Sequence, residues 1–446
     1  MEEYRLVADE VAAEIAAGHL RPGDRLPPQR AFARRRGIAN STASRVYSEL
    51  ARRGLVVGEV GRGTFVRAAR PLPGPSLAEP ATARIDLELN YPVAPGQSAL
   101  LSQGLGPLLR PDVLGAALQP LGAAGTPAFR EAAAGLLGRA GWEPDPARVL
   151  FAGNGRQGIA AAVAALVPPG ERLGVEALSY PVVKAIAHRL GVTPVPLAID
   201  GEGLCPDALA AAHRGVPLRA VYLQPTLHNP LGVTMPGTRR EQVARTLREL
   251  DVCAIEDGIW AFLDDGAPPP LAALAPDHVI LIDSLSKRLA PGLTAGFAVT
   301  PAGHADRVAT ALRSGAWTAS RFALDAAIRW AADGTVAAVA EAKRADAAAR
   351  RRVAAERLAG FTVRADPHAY FCWWELPEQW RAETFVAAAA RRGIAVTPAA
   401  SFVVGSRSAP NAVRLGLASP PVETLSYALD VLAGLARGTP EDAMDD

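Results

Sequence analysis

At 446 residues, 49% apolar and 21% charged, the chain is long enough for two or three domains and a sizeable core. No apolar stretch reaches the ~18 residues of a membrane helix, and Met-Glu-Glu-Tyr-Arg at the start is not a signal peptide. Cys205, Cys253 and Cys372 form neither a disulfide framework nor a metal-ligand spacing, so a cytoplasmic protein with no membrane partner and no metal is expected. The formal net charge of +2 is unevenly spread. Residues 21–67 hold eleven arginines against Asp24, Glu49 and Glu59, whereas residues 1–20 and the body from 68 onward are net acidic. A short basic module on a large, near-neutral body points to nucleic acid.

Tyr4, Val7, Val11 and Ile15 recur at helical spacing, and Gly18 can end that helix. The turn at 21–28 closes with a proline suited to the start of a second helix, 29–36, which Gly37 stops. Asn40 or Ser41 can cap a third helix running to about Arg53, with Val46 and Leu50 facing inward and Thr42, Ser44 and Arg45 on the other face. Apolar runs at 55–57 and 64–66, on either side of a glycine-rich turn, predict a β-hairpin. Together these elements describe a winged helix-turn-helix over residues 1–67.

Leu-Arg-Pro-Gly-Asp-Arg-Leu-Pro at 20–27, Ser-Thr-Ala-Ser-Arg-Val-Tyr at 41–47 and Gly-Arg-Gly-Thr-Phe-Val at 61–66 resemble the DNA-binding domain of GntR-type regulators. The resemblance implies that Arg30, Thr42, Ser44 and Arg45 face double-stranded DNA, with Arg62, Gly63 and Thr64 on the wing. The chemistry agrees, because arginine reads guanine edges bidentately while hydroxyls and backbone amides hold phosphates. Asn40 stands where the family commonly has arginine, which bears on base preference. The bland alternative is a solvated basic face or a protein-docking domain.

Residues 68–84, rich in proline from Arg70 to Pro80, read as a semi-stiff linker. From Ile85 apolar runs alternate with helical patterns: 148–152, a helix to 166, 192–197, 220–223, a helix at 238–250, 252–255 and 279–282. That alternation predicts an α/β fold with a mainly parallel sheet at about 100–300. A smaller α+β part is expected at about 301–436, with solvated helix faces around 340–357 and an acidic frayed tail at 437–446.

Ligands gather at the carboxyl ends of strands in such sheets, and several residues fall there. Lys287 follows the 279–282 run and precedes a Pro-Gly turn; it is one of three lysines against 44 arginines. Burial lowers the pKa of an amine and makes it nucleophilic, although a lysine at a strand end can also snorkel to water. Gly153 to Gln157 opens a helix with small residues that admit a phosphate, or simply makes a tight turn. Asp257 closes a buried run and needs a cationic partner there, unless it is an N-cap. Asn229 in an Asn-Pro turn, Tyr180 in Ser-Tyr-Pro and Arg414 in Val-Arg-Leu-Gly also read as turn, core tyrosine and surface ion pair.

Ser-x-Ser-Lys before a Pro-Gly turn, and the order Gly155, Tyr180, Asn229, Asp257, Lys287, Arg414, resemble the pyridoxal-phosphate aminotransferases of fold type I. The resemblance covers about 85–436. It implies pyridoxal 5'-phosphate held on Lys287, with Gly155, Arg156, Gln157 and Ser284 near its phosphate. Tyr180 would stack on the ring, Asn229 would bond the phenolic oxygen, Asp257 would pair with the pyridinium nitrogen, and Arg414 would clamp a substrate carboxylate. Two departures stand out. Thr294 occupies the place of a phosphate-binding arginine, a charge that Arg156 is expected to replace. Trp260 stands where a tyrosine often bonds the phenolic oxygen, and an indole N–H can only donate.

A GntR-type head on such a body looks like a MocR-type transcriptional regulator. That resemblance implies a homodimer and a small amino or vitamin-related effector that displaces the lysine to give an external aldimine; the Thr294 and Trp260 departures weigh against efficient transamination, so no or only residual aminotransferase activity is expected. The alternatives are a working aminotransferase carrying a DNA-binding head, and a body that binds no cofactor and only dimerises.

Overall fold

The computed structural model describes residues 3–16, 19–20, 24–52, 55–59, 63–66, 84–405 and 408–440. Arg62, most of the expected linker and residues 441–446 lie outside the described residues. The chain divides into two compact units, Met1–Pro75 and Ser76–Asp446.

The first unit contains α1 (Glu3–Ala16), α2 (Gln29–Arg36), α3 (Asn40–Arg52), β1 (Val56–Glu59) and β2 (Gly63–Val66). Helix α2 stops at Gly37, whose φ of 65° is left-handed and costs glycine little. The apolar faces of the three helices and the hairpin share one core built from Ala8, Val11, Leu26, Phe32, Val46, Leu50 and Val66. β1 and β2 pair antiparallel, Val56 opposite Val66. The turn before α2 is tied to the wing where Leu26 N–H donates to the Thr64 carbonyl (2.8 Å) and Val66 N–H to that of Asp24 (2.7 Å).

In the second unit the core sheet uses β3 (Val149–Ala152), β4 (Arg172–Glu176), β5 (Thr193–Leu197), β6 (Ala220–Leu223), β7 (Cys253–Asp257), β8 (Val279–Ser284) and β9 (Gly296–Val299). Their spatial order is β3-β9-β8-β7-β6-β4-β5, with β9 antiparallel to both its neighbours and the remaining pairs parallel. Strands β3, β6, β7, β8 and β9 are buried along their whole length, which is why they read as continuous apolar runs. Helix α4 (Gly155–Leu166) follows β3 directly and packs against the middle of the sheet.

The expected internal division at residue 301 needs correcting. Helix α5 (Ala305–Ser314) buries Val308 and Leu312 with Ile159 and Val163 of α4. Helix α6 (Arg321–Ala332) buries Leu324 and Trp330 with Phe129, Phe151 and Phe297. Both therefore belong to the large core, α5 packing on α4 at one face of the sheet and α6 joining the cluster on the opposite face. The smaller core begins along α7 (Thr335–Arg357) and joins Ala354 to Ile85, Leu87, Trp374, Leu415 and Leu429. It holds an antiparallel sheet in which β10 (Phe371–Glu375) and β11 (Ala412–Gly416) are central, covered by α8 (Val422–Arg437). Helix α7 is not merely a solvated face, since Ala340, Lys343, Ala347, Arg350 and Ala354 are buried along one side. Among the described residues no helix is long and apolar enough to cross a membrane.

Candidate cofactor and effector site

Strands β6, β7 and β8 run parallel and end side by side, which gathers Gln224, Asp257 and Ser284 at one edge of the sheet. A cavity of about 220 Å³ opens there, lined by Lys287, Asp257, Asn229, Tyr180, Gly155, Arg156, Ser284, Trp260 and Arg414 among others. Residues spread over 260 positions of sequence thus meet around one amine. Gln157 is the exception: its side-chain amide folds back over Gly153, and the residue does not line the cavity. Its backbone N–H donates to Asn154 Oδ1 at 3.0 Å.

Lys287 sits on a single helical turn, Leu285–Arg288, rather than on an open loop, because the Ser284 hydroxyl caps that turn by accepting from Ser286 N–H at 3.2 Å. Its Nζ donates to the Asn90 carbonyl at 2.5 Å and lies 3.9 Å from the Tyr91 ring centre and 5.2 Å from that of Trp260. Burial, reinforced by the positive charges of Arg156, Arg414 and Lys343, pushes the amine well below the usual lysine range. A neutral amine is the nucleophilic form.

Asp257 is buried and accepts three neutral donors: Tyr222 Oη–H at 2.7 Å, Gln224 Nε2–H at 3.0 Å and Ile259 N–H at 3.1 Å. Burial raises its carboxyl pKa, an effect that the three hydrogen bonds oppose. A cation placed beside it would be welcome electrostatically. Gln224 also accepts from Asn229 N–H at 3.2 Å, so one amide fixes both residues. Asn229 Oδ1 is buried without a hydrogen-bond partner.

At the other end, Gly155 begins α4 so close to Ser284 that a Cβ on it would lie 3.3 Å from Oγ. The backbone N–H groups of a helix start and the hydroxyls of Ser284 and Ser286 make this end suited to an anion. Thr294 Oγ1 lies 2.9 Å from Ser286 Oγ, extending the hydroxyl cluster. Arg156 Nε–H donates to Tyr180 Oη at 2.9 Å, and its Nη2 approaches Tyr91 Oη at 3.4 Å. Burial pushes the Tyr180 phenol up to about 12.

Arg414, on β11, donates to the Glu88 carbonyl at 2.8 Å and to Thr397 Oγ1 at 3.2 Å, and stands over the Phe402 ring at 5.5 Å. Its Nε is buried without a partner, and burial pulls the guanidinium pKa down to about 10. Sequence reasoning missed Asn90, Tyr91, Tyr222, Gln224 and Thr397. Tyr222 and Gln224 carried a signal, being polar positions two apart at the end of an otherwise apolar strand.

In the winged unit Arg30, Ser44 and Arg45 are exposed, and Thr42, Gly63 and Thr64 are half-buried. The Arg45 guanidinium lies 4.1 Å from the Tyr4 ring centre, which holds it on the α3 face.

The fold and site define a fusion of a winged helix-turn-helix with an aminotransferase-type body. The chain belongs to the aminotransferase class I and II family, whose profile matches residues 117–432, and residues 3–66 match the bacterial regulatory proteins of the gntR family, the MocR-type combination. It is 31% identical over 436 residues to the uncharacterized HTH-type transcriptional regulator YdeF of Bacillus subtilis, covering 97% of this chain and 94% of that one. It is 27% identical over 326 residues to the HTH-type pyridoxine biosynthesis transcriptional regulator PdxR of Corynebacterium glutamicum, covering 68% and 67% of the two chains. Among solved structures, Pyrococcus horikoshii kynurenine aminotransferase superposes with a TM-score of 0.73 at 22% identity, over 83% of this chain and 95% of that one. The structural likeness shows the fold alone; the regulator relatives favour a transcriptional regulator over a working aminotransferase.

Proposed function

We propose that the chain is a pyridoxal-phosphate-dependent transcriptional regulator in which the Lys287 cavity senses an amino compound and the winged unit binds DNA. The carrying observation is that the Lys287 amine, held toward its neutral form, shares one cavity with a buried carboxylate whose donors are all neutral and with the unpartnered Asn229 Oδ1. These features fit a phosphorylated pyridine aldehyde. When bound, pyridoxal phosphate supplies an aldehyde open to primary amines and a ring that takes up electron density.

Each residue then has a task. Asp257, its orientation fixed by Tyr222 and Gln224, would hold a proton on the ring nitrogen. Asn229 and the Trp260 indole would hold the phenolic oxygen, Tyr180 would cover the ring, and Gly155, Ser284 and Ser286 would hold the phosphate. Arg156 supplies the positive charge that Thr294 lacks. Lys287 would anchor the cofactor through its neutral amine and is placed to take or return a proton at Nζ. Arg414 orients a carboxylate on the effector bidentately. Arg30, Thr42, Ser44, Arg45, Gly63 and Thr64 contact DNA, together with Arg62.

A second copy of the chain is part of this reading. Leu109, Leu114 and Leu118 are 63%, 38% and 83% exposed within one short segment, and Val93, Leu293 and Phe322 are exposed too. Such apolar surface suits an interface, and a dimer presents two winged units to paired half-sites. Titrating pyridoxal phosphate into wild-type and Lys287→Ala protein tests the cofactor. A visible absorbance band in the wild type, absent from the variant, is expected; the same spectrum in both rules out Lys287 as the anchor.

A further inference from the structure

The third lysine of the chain does not line the cavity just described, yet it is fully buried beneath it. Lys343 points from α7 at the underside of the Lys287 turn, where its Nζ donates to the Lys287 carbonyl at 2.8 Å and also to the Leu289 carbonyl. A buried ammonium is costly, and a methionine would fill the same space. Its amine is instead matched to two main-chain acceptors at the end of a short helical turn, where a donor is favourable.

The hydrogen bonds continue around a closed circuit. Tyr370 Oη–H lies 2.7 Å from the Lys343 carbonyl and 2.9 Å from Asp346 Oδ2. Asp346 accepts from Arg350 Nε–H at 2.8 Å, and Arg350 donates to the Leu417 carbonyl at 2.8 Å. Leu417 directly follows the strand that carries Arg414. Ala418 N–H donates to Asn90 Oδ1 at 3.2 Å, and the Asn90 carbonyl accepts from the Lys287 amine. Helix α7 thus joins the main chain of the reactive lysine to the strand of the carboxylate-binding arginine.

We propose that Lys343 is a positioning residue for Lys287, fixing the backbone of its turn against α7 and tuning the reactivity of its amine through charge. The charged groups facing Lys287 are Arg156, Arg414, Lys343 and Asp257; Asp346 is the carboxylate facing Lys343. Burial brings Lys343 itself down to about 7, so its charge changes within the physiological range. This inference concerns the chain's own amine and needs no bound cofactor, although its importance rests on the sensor reading above.

The test is amine labelling of the protein without added cofactor, with Lys287 modification by trinitrobenzenesulfonate followed by mass spectrometry from pH 6 to 10. In Lys343→Met and Lys343→Gln the labelling of Lys287 at and below about pH 7, where Lys343 still carries its charge, is expected to move up by roughly one pH unit, as loss of a nearby positive charge requires. Lys343→Gln keeps a donor and separates charge from bracing, so it should shift the labelling while melting nearer the wild type than Lys343→Met. Folded variants whose Lys287 labelling in that range matches the wild type overturn the proposal. If neither variant folds, the wild type decides: labelling that follows two titrating groups supports the inference, and a single-group curve overturns it. Because labelling is independent of pyridoxal phosphate, a protein that fails to take up the cofactor contradicts the sensor reading and leaves this result standing.

Discussion

Arginine does opposite work in the two units. In the winged unit Arg36 pairs with Glu10 and Glu14 at 2.8 and 2.6 Å, with side chains 31%, 60% and 41% exposed, and Arg30 and Arg45 are exposed. In the body Arg240 is wholly buried and donates to the carbonyls of Met235, Pro225 and Pro269 and to Thr226 Oγ1, each at 2.8–3.0 Å. Exposed guanidinium groups in water contribute little to the fold and remain available to a polyanion. A buried one is structural, because its removal strands several acceptors at once. The difference separates positions where substitution should affect stability from those where it should affect DNA.

Arg240→Met should give the largest effect, roughly 3–5 kcal/mol of stability, read as a drop in denaturant midpoint with unchanged DNA contacts at matched folded concentration. Next, Arg414→Ala should weaken a carboxylate-bearing effector roughly 10- to 100-fold while leaving the pyridoxal-phosphate spectrum in place; loss of the spectrum as well would make Arg414 a structural residue. Arg45→Ala should cost about 1–3 kcal/mol of DNA affinity with the melting temperature held. A loss of stability comparable to that of Arg240→Met would erase the contrast between the units.

Two smaller effects sharpen it. Lys343 titrates at about 7 in the native protein against a usual 10.5, because burial disfavours its charge. Between those values the unfolded chain holds the proton and the native chain does not, so this group makes stability rise with pH from about 7 to 10.5. Lys343→Met should flatten that part of the stability profile. Last, Arg36→Ala should change stability by no more than ~1 kcal/mol, checked by thermal melting.

Much of the site was legible because its chemistry sits at strand ends, where an apolar run stops at a polar residue. Lys287, Asp257 and Ser284 are all of this kind. Arg414 is different, being a charge in the middle of a buried strand, and its motif rather than its setting marked it. What the sequence concealed came from distant backbone. Asn90 and Tyr91 reach Lys287 from 197 and 196 positions away, and no periodicity records such a meeting. Gln157 shows another limit, since its motif predicts where a main chain approaches an anion but not where a side chain turns. The inner boundary of the body was misjudged for a related reason. The apolar faces of α5 and α6 announce that they are buried, and nothing in their spacing says against which core.

The central claim is that filling the Lys287 cavity alters DNA binding by the winged unit, and a ligand does so only through unequal affinity for two states. Its most direct test is fluorescence anisotropy of the protein on DNA from upstream of its own gene, with and without pyridoxal phosphate, for the wild type and Lys287→Ala. The account predicts that the cofactor changes affinity in the wild type alone. Equal binding in all four combinations, by protein shown to be folded, would contradict it.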